Sequence, residues 1–320
     1  MRPTGLLHLG NLHGALTNWV SMQDQYDCFY FIADWHALTT GYEDTGDIEE
    51  NINQMLLDWL SAGLSPEKCT FFIQSQIKEH AELFLLLSMI TPVPWLERNP
   101  TYKDQMVQLE NKDLTTFGFL GYPVLQAADI IMYKANGVPV GIDQVPHVEI
   151  TREIARRFNY LYGHTFPEPE AILTESAKIL GIDRRKMSKS YGNAIFMADS
   201  PEEISKKVSL MITDPQRARR SDPGDPDVCN VYDFHKLYSD LHMVEEINAQ
   251  CRSAKIGCVE CKQIMAKNLI KSLKPFREKR AYYLERPEMV ADIISGGNQK
   301  ARKVAQQTME QVRAAIKMAY

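Results

Sequence analysis

Lys186-Met187-Ser188-Lys189-Ser190 sets two ammonium groups three residues apart among small polar side chains, between Asp183-Arg184-Arg185 and Tyr191-Gly192-Asn193. Ser, Gly and Asn compete with a regular helix, so the stretch reads as a mobile loop suited to closing over a phosphate chain. The plainer alternative is a lysine-bearing surface loop. Near the start of the chain, Pro3-Thr4-Gly5 and Gly10 supply turn chemistry ahead of an amphipathic run from about Leu12 to Met22. A Gly-containing turn that opens a helix offers free N–H groups and a positive dipole end to phosphate. His8 and Asn11 add side-chain donors against charge developing on a phosphoryl group. Between the two stretches, Tyr122–Ile131 carries one carboxylate, Asp129, in a largely apolar, helix-competent run. Such an Asp is costly to bury alone. It either pairs with a helix cap or an Arg, or accepts a hydrogen bond from a donor on a ligand.

The elements that must position these residues follow a βαβ rhythm. Asp27–Ala33 and Thr70–Gln74 are short β-rich runs, Ile48–Gly63 alternates at helical spacing, and Glu79–Ile90 is a further helix before Pro92, Pro94 and Pro100. Strands ending in polar residues fit an α/β, Rossmann-like doubly wound parallel sheet, whose ligands sit at strand C-termini. His36, just past a strand end, is favoured for the pocket over a buried structural role. Asp199-Ser200 caps a helix opening at Pro201-Glu202-Glu203, and from Val231 the pattern is helical almost to Tyr320, with Gly296-Gly297 the clearest break. The expected division is a catalytic domain over 1–195, a helical domain over 196–285 and a C-terminal helix over 286–320.

The 320 residues suffice for two domains and a sizeable core, with the 44% hydrophobic and 24% charged content of ordinary globular proteins. No apolar run approaches the roughly 20 residues of a membrane helix, and Met1–Gly5 lacks a signal-peptide apolar region. Six cysteines without an export signal predict a reducing cytoplasm. A net charge of −5 argues against a protein coated in nucleic acid but leaves room for a local basic face.

KMSKS over 186–190 resembles the signature loop of class I aminoacyl-tRNA synthetases. His8-Leu9-Gly10-Asn11 resembles their other signature, in a variant form found in the tryptophan and tyrosine members. The runs Asp34–Thr40, Gln126–Ile130, Val138–Gln144 and His147–Glu153 resemble the bacterial tryptophan branch. The resemblance, which spans almost the whole chain, implies activation of L-tryptophan with ATP and Mg²⁺, transfer to tRNA(Trp), and a homodimer meeting near Leu96–Lys103. It implies that His8, Asn11, Lys186 and Lys189 are catalytic, with Lys189 first on the migrating pyrophosphate. ATP contacts are implied for Arg2, Pro3, Thr4, Gly10, Asn11, Gly141, Ile142, Asp143, Ile179, Lys186, Met187, Ser188, Lys189 and Ser190. Ile142 departs from the acidic residue usual there. Asp129 is implied to accept the indole N–H, with His36, Tyr122, Gln126 and Gln144 around the amino acid. Indole N–H is a donor only, so a fixed acceptor discriminates strongly against phenylalanine. The family also has a short strand before the Pro-Thr-Gly turn, so an upstream start is expected. The rival readings are a tyrosyl enzyme, an RNA-binding paralogue that no longer charges tRNA, and a nucleotidyltransferase without tRNA.

Cys229, Cys251, Cys258 and Cys261 are spaced C-x21-C-x6-C-x2-C, which suggests a metal site over disulfides in a cytosolic helical domain. Structural zinc prefers two short pairs, whereas iron–sulfur ligands tolerate irregular spacing. Ile256–Lys262 resembles the [4Fe–4S] segment of a subset of the tryptophan enzymes; Zn²⁺ and free thiols are the alternatives. Cys28 and Cys69 flank strands and read as core. Lys262, Lys267, Lys271, Lys274, Arg277, Lys279, Arg280, Lys300, Arg302 and Lys303 concentrate charge suited to tRNA phosphates.

Overall fold

The computed structural model describes residues 1–108, 114–173 and 179–319. Gly5, at φ 107° in the left-handed region, turns the chain into α1 (Leu9–Asn11), a π turn (Leu12–Leu16) and α2 (Thr17–Met22). Strands β1 (Cys28–Ile32) and β2 (Cys69–Ile73) pair in parallel, joined through α3 (Asp34–Gly41) and α4 (Ile48–Ala62). Cys28 pairs with Cys69 in this register, and both are buried as expected. Gly63, at φ 111°, ends α4 where a side chain would be strained.

Helices α5 (Glu79–Ser88), α6 (Val93–Glu97), α7 (Pro100–Gln108) and α8 (Phe117–Met132) follow. Pro94 and Pro100 start helices because proline's fixed φ suits the first turn, where its missing N–H is not needed. A second parallel pair, β3 (Gly137–Val140) and β4 (Glu170–Leu173), is joined through α9 (Val145–Tyr162). Among the described residues, the expected sheet therefore appears as two parallel pairs. An apolar groove of about 390 Å³ lies between β1 and β3. Met1 lies along the end of β1, donating through its amino group to Phe31 O at 2.7 Å and accepting from Ala33 N–H at 2.8 Å.

The rest is helical: α10 (Pro201–Ser209), α11 (Asn230–Tyr238), α12 (Leu241–Arg252), α13 (Cys258–Leu284) and α14 (Pro287–Ala315). Ser200 and Glu203 close the capping box expected at α10. Gly296-Gly297 is not a break: α14 runs straight through it. The glycine serves packing instead, since a Cβ on Gly297 would lie 1.7 Å from Phe71 O of β2. The next residue, Asn298, accepts Ile73 N–H at 3.0 Å, so α14 covers the edge of β2. A continuous core carries Leu7 and Leu9 of the front turn, Trp59 of α4, Met187 of the lysine loop and Leu269 of α13. Burial of each such large side chain contributes roughly 1.5–3 kcal/mol.

Candidate active site

The front turn caps itself. His8 is the extended N-cap of α1, its Nδ1 accepting Asn11 N–H at 3.3 Å while Asn11 Oδ1 accepts His8 N–H at 3.0 Å. Burial, then the Lys189 charge, lowers the His8 pKa to about 4, so the ring is neutral near pH 7. With Nδ1 accepting, the proton belongs on Nε2, which is left as a neutral donor. Glycine at position 10 lets this ring lie across the turn, because a Cβ there would stand 2.9 Å from the imidazole.

The lysine loop is anchored to that turn. Just past the loop, Ile195 O accepts Leu9 N–H at 3.0 Å, and Met197 N–H donates to Leu7 O at 2.9 Å. Met187 is buried, while Asn193, also buried, accepts Ser188 N–H at 2.8 Å and donates to Asp183 at 2.7 Å. These pins fix the two flanks and leave Lys186, Ser190 and Tyr191 exposed. Lys189 Nζ donates to Thr4 Oγ1 at 3.4 Å. Burial lowers its pKa to about 8, against a smaller upward pull from Asp58.

One cleft of about 290 Å³ is lined by Arg2, Thr4, His8, Asn11, Ser188, Lys189 and Ser190, together with Met1 and Leu7. His8, Asn11 and Lys189, three of the four expected catalytic residues, thus converge on one cleft from stretches far apart in the chain. Of the other expected nucleotide residues, Pro3 and Met187 are buried beside the cleft, and Ile179 O accepts Met187 N–H at 3.4 Å. Lys186 does not line it, and neither do Gly141, Ile142 and Asp143. Those three occupy the turn after β3, where the Ile142 side chain is exposed.

Asp129 is fully buried and fully partnered. Its Oδ2 lies 2.7 Å from His36 Nε2 and its Oδ1 2.5 Å from His80 Nδ1, while Gln74 Nε2 donates to both oxygens at 2.8 and 3.0 Å. Burial alone would raise its pKa, but the His36 and His80 hydrogen bonds outweigh it and hold the value at about 2. His80 passes the network on to Tyr133 at 2.7 Å. Tyr122 instead meets His147 Nε2 at 3.3 Å, Gln144 donates to Asp143 at 3.0 Å, and Gln126 is half-buried on α8. Gln74 and His80 are absent from the expected site. Gln74 carries a signal, its place at the end of a parallel strand; His80 carries none.

The four helical-half thiols share one region without closing on it. Arg217 Nη1 lies 3.9 Å from Cys251 Sγ and 3.8 Å from Cys258 Sγ, and Cys261 Sγ lies 3.5 Å from His235 Nε2. Burial, reinforced by the neighbouring Cys229, Cys251 and Cys258, pushes the Cys261 thiol up to about 12. A four-thiol donor set fits a thiolate-bound metal group chemically, with Arg217 as counter-charge. Geometrically, no three His, Cys, Asp or Glu side chains among the described residues are gathered closely enough to hold a metal. The basic stretch also needs one correction: Arg280 is not on the surface but ion-paired with buried Asp58 at 2.8 Å.

A sequence model of the family described as tRNA synthetases class I (W and Y) matches residues 1–274. A tryptophan–tRNA ligase of Thermotoga maritima is 53% identical over 323 residues, covering 100% of this chain and 98% of that one. One from Aquifex aeolicus is 46% identical over 388 aligned residues, covering 99% and 98%. The crystal structure of a Campylobacter jejuni tryptophanyl-tRNA synthetase, complexed with ADP and tryptophan, superposes with a TM-score of 0.91 at 36% identity, covering 99% and 98%. No helix among the described residues is long and apolar enough to cross a membrane.

Proposed function

This chain belongs to the class I tRNA synthetases of the tryptophan and tyrosine group, and we propose how its residues perform the tryptophan branch's reaction. It is a tryptophan–tRNA ligase. A carboxylate oxygen of L-tryptophan attacks the α-phosphorus of ATP, the bond to the pyrophosphate oxygen breaks, and tryptophanyl-adenylate forms. A hydroxyl of the terminal ribose of tRNA(Trp) then attacks the adenylate carbonyl, forming the ester and releasing AMP as the mixed-anhydride bond breaks.

The observation that carries the residue assignments is the meeting of Lys189 and Thr4 across the cleft that His8 and Asn11 also line. Phosphoryl transfer asks for positioning and charge stabilisation more than covalent participation by the protein. His8 Nε2–H and Asn11 donate to phosphate oxygens, and Lys189 and Lys186 neutralise the departing pyrophosphate. Mg²⁺ arriving with ATP supplies further charge on the phosphates. Arg2, Pro3, Thr4, Gly10, Met187, Ser188 and Ser190 shape the phosphate side; Gly141, Ile142, Asp143 and Ile179 serve the rest of the nucleotide. Asp129 accepts the indole N–H, which takes over an acceptor position now filled by Gln74. His36, Tyr122, Gln126 and Gln144 surround the amino acid. Charging of tRNA with labelled tryptophan tests the reading; charging with tyrosine, or none, would overturn it.

We further infer that Cys229, Cys251, Cys258 and Cys261 hold a [4Fe–4S] cluster, with Zn²⁺ as the alternative. The all-sulfur donor set and the adjoining Arg217 charge support it. Iron and sulfide content with broad visible absorbance is expected; zinc, or no metal in protein purified without oxygen, would contradict the cluster. The helical half is read as the anticodon-binding part, where Lys262, Lys267, Lys271 and Lys274 meet phosphate. A homodimer is consistent with the exposed Leu85, Val93 and Phe117 on α5, α6 and α8 and Met89 just past α5. A cytoplasmic location suits its tRNA substrate and six cysteines that form no disulfide.

A further inference from the structure

Asp58 of α4 is the buried joint between the front turn and the helical half. Its side chain is fully buried, Oδ2 accepting Leu7 N–H at 2.9 Å and Oδ1 accepting Arg280 Nε–H at 2.8 Å. Arg280 also donates to Gln54, one turn back on α4. Leu7 immediately precedes His8, so one carboxylate touches both the backbone of the phosphate-binding turn and a cation on α13. A second contact grips the same segment, His13 to Tyr238 Oη of α11 at 2.6 Å. Helix α13 spans Cys258–Leu284, roughly 40 Å at 1.5 Å per residue, so Cys258 and Cys261 stand at one end and Arg280 near the other.

We propose that Asp58 is a positioning residue for tryptophan activation: it fixes the Leu7–His8 backbone against Arg280, so the phosphate-binding turn takes its place from α13. The inference rests on the reaction proposed above. A buried ion pair is weak grounds for stability by itself, because desolvation opposes the attraction. Register is what this pair supplies: without the carboxylate, Leu7 N–H has lost its acceptor and the Arg280 charge its partner. Displacing the turn by about an ångström is enough to cost on the order of a hundredfold in rate. The negative charge of Asp58 also favours the protonated form of Lys189.

The test uses the full chain as Asp58→Asn, Arg280→Gln and the apolar pair Asp58→Leu/Arg280→Met. Pyrophosphate exchange is measured with kcat and KM separated, alongside the thermal midpoint and hydrogen exchange of the Leu7 amide. Asp58→Asn is expected to lower exchange kcat by about tenfold or more while KM for tryptophan stays within about twofold. Arg280→Gln, which removes no contact to Leu7, is expected to speed Leu7 amide exchange. The apolar pair is expected to recover the thermal midpoint without recovering kcat. Recovery of kcat together with the midpoint, or Leu7 protection unchanged in Arg280→Gln, would overturn the proposal. If Asp58→Asn does not fold, the apolar pair decides the kinetic question. If the unmodified chain shows no tryptophan-dependent exchange, the proposed reaction fails, while Leu7 protection in Arg280→Gln still decides whether Arg280 holds the turn.

Discussion

Lys189 Nζ and Thr4 Oγ1 stand 3.4 Å apart although 185 residues separate them in the chain. The contact joins the front turn to the lysine loop, the two stretches proposed to handle phosphate, beside the strand-like pairing of Leu7 and Leu9 with Met197 and Ile195.

Removing the lysine charges should slow activation selectively. Lys189→Ala is expected to lower the pyrophosphate-exchange kcat by roughly 10²–10³, the scale of losing one preorganised charge-stabilising donor. The dissociation constant for tryptophan, measured by equilibrium dialysis, should stay near that of the unmodified chain. Lys186→Ala should act in the same direction. Unaltered exchange in either variant would refute that lysine's role.

Acid–base behaviour follows from Lys189. With its pKa lowered to about 8 by burial, the ammonium form proposed to bind phosphate predominates below that pH. kcat/KM for ATP should therefore fall as pH rises through about 8, and Lys189→Arg should move that limb to higher pH. The stability effect has the opposite sign. Between about 8 and the ordinary lysine value the unfolded chain binds more protons, so this group makes folding more favourable as pH rises.

Asp129 should matter to both substrate choice and folding. Asp129→Asn removes the carboxylate that His36, His80 and Gln74 converge on, and breaking such a buried charged cluster costs about 3–5 kcal/mol. Its folded pKa of about 2 lies below the unfolded value, so the stability it contributes is present at neutral pH and lost as pH falls toward 2. Denaturant titrations at pH 7 and pH 3 should show the variant's deficit shrinking at the lower pH. In exchange assays, KM for tryptophan should rise about a hundredfold or more, as in sites built to read an N–H.

Gly297→Ala should destabilise the chain without touching the chemistry. A Cβ 1.7 Å from Phe71 O must push α14 off β2, and overpacking of this kind costs about 1–3 kcal/mol or more. A lower thermal midpoint with unchanged exchange kcat per folded molecule is expected.

Much of the site was legible because its chemistry is local in sequence. His8, Gly10 and Asn11 carry a turn-and-helix pattern, and Lys186–Ser190 carries a loop pattern; the structure brings His8, Asn11, Ser188, Lys189 and Ser190 to one cleft. The Ile48–Gly63 helix and the Ser200 cap were legible for the same reason. What escaped depends on distant packing. Gly296-Gly297 looks like a helix break until β2 is seen against it, and Arg280 looks like surface charge until Asp58 is seen beneath it. His80 sits on a predicted helix with nothing in its neighbours to show that it faces Asp129.

ATP–pyrophosphate exchange by the purified full chain, run with tryptophan, with tyrosine and with no amino acid, tests the central claim most directly. Exchange that depends on tryptophan and is abolished or strongly reduced in Lys189→Ala is the predicted result. Exchange driven by tyrosine, or indifferent to either amino acid, would contradict the account.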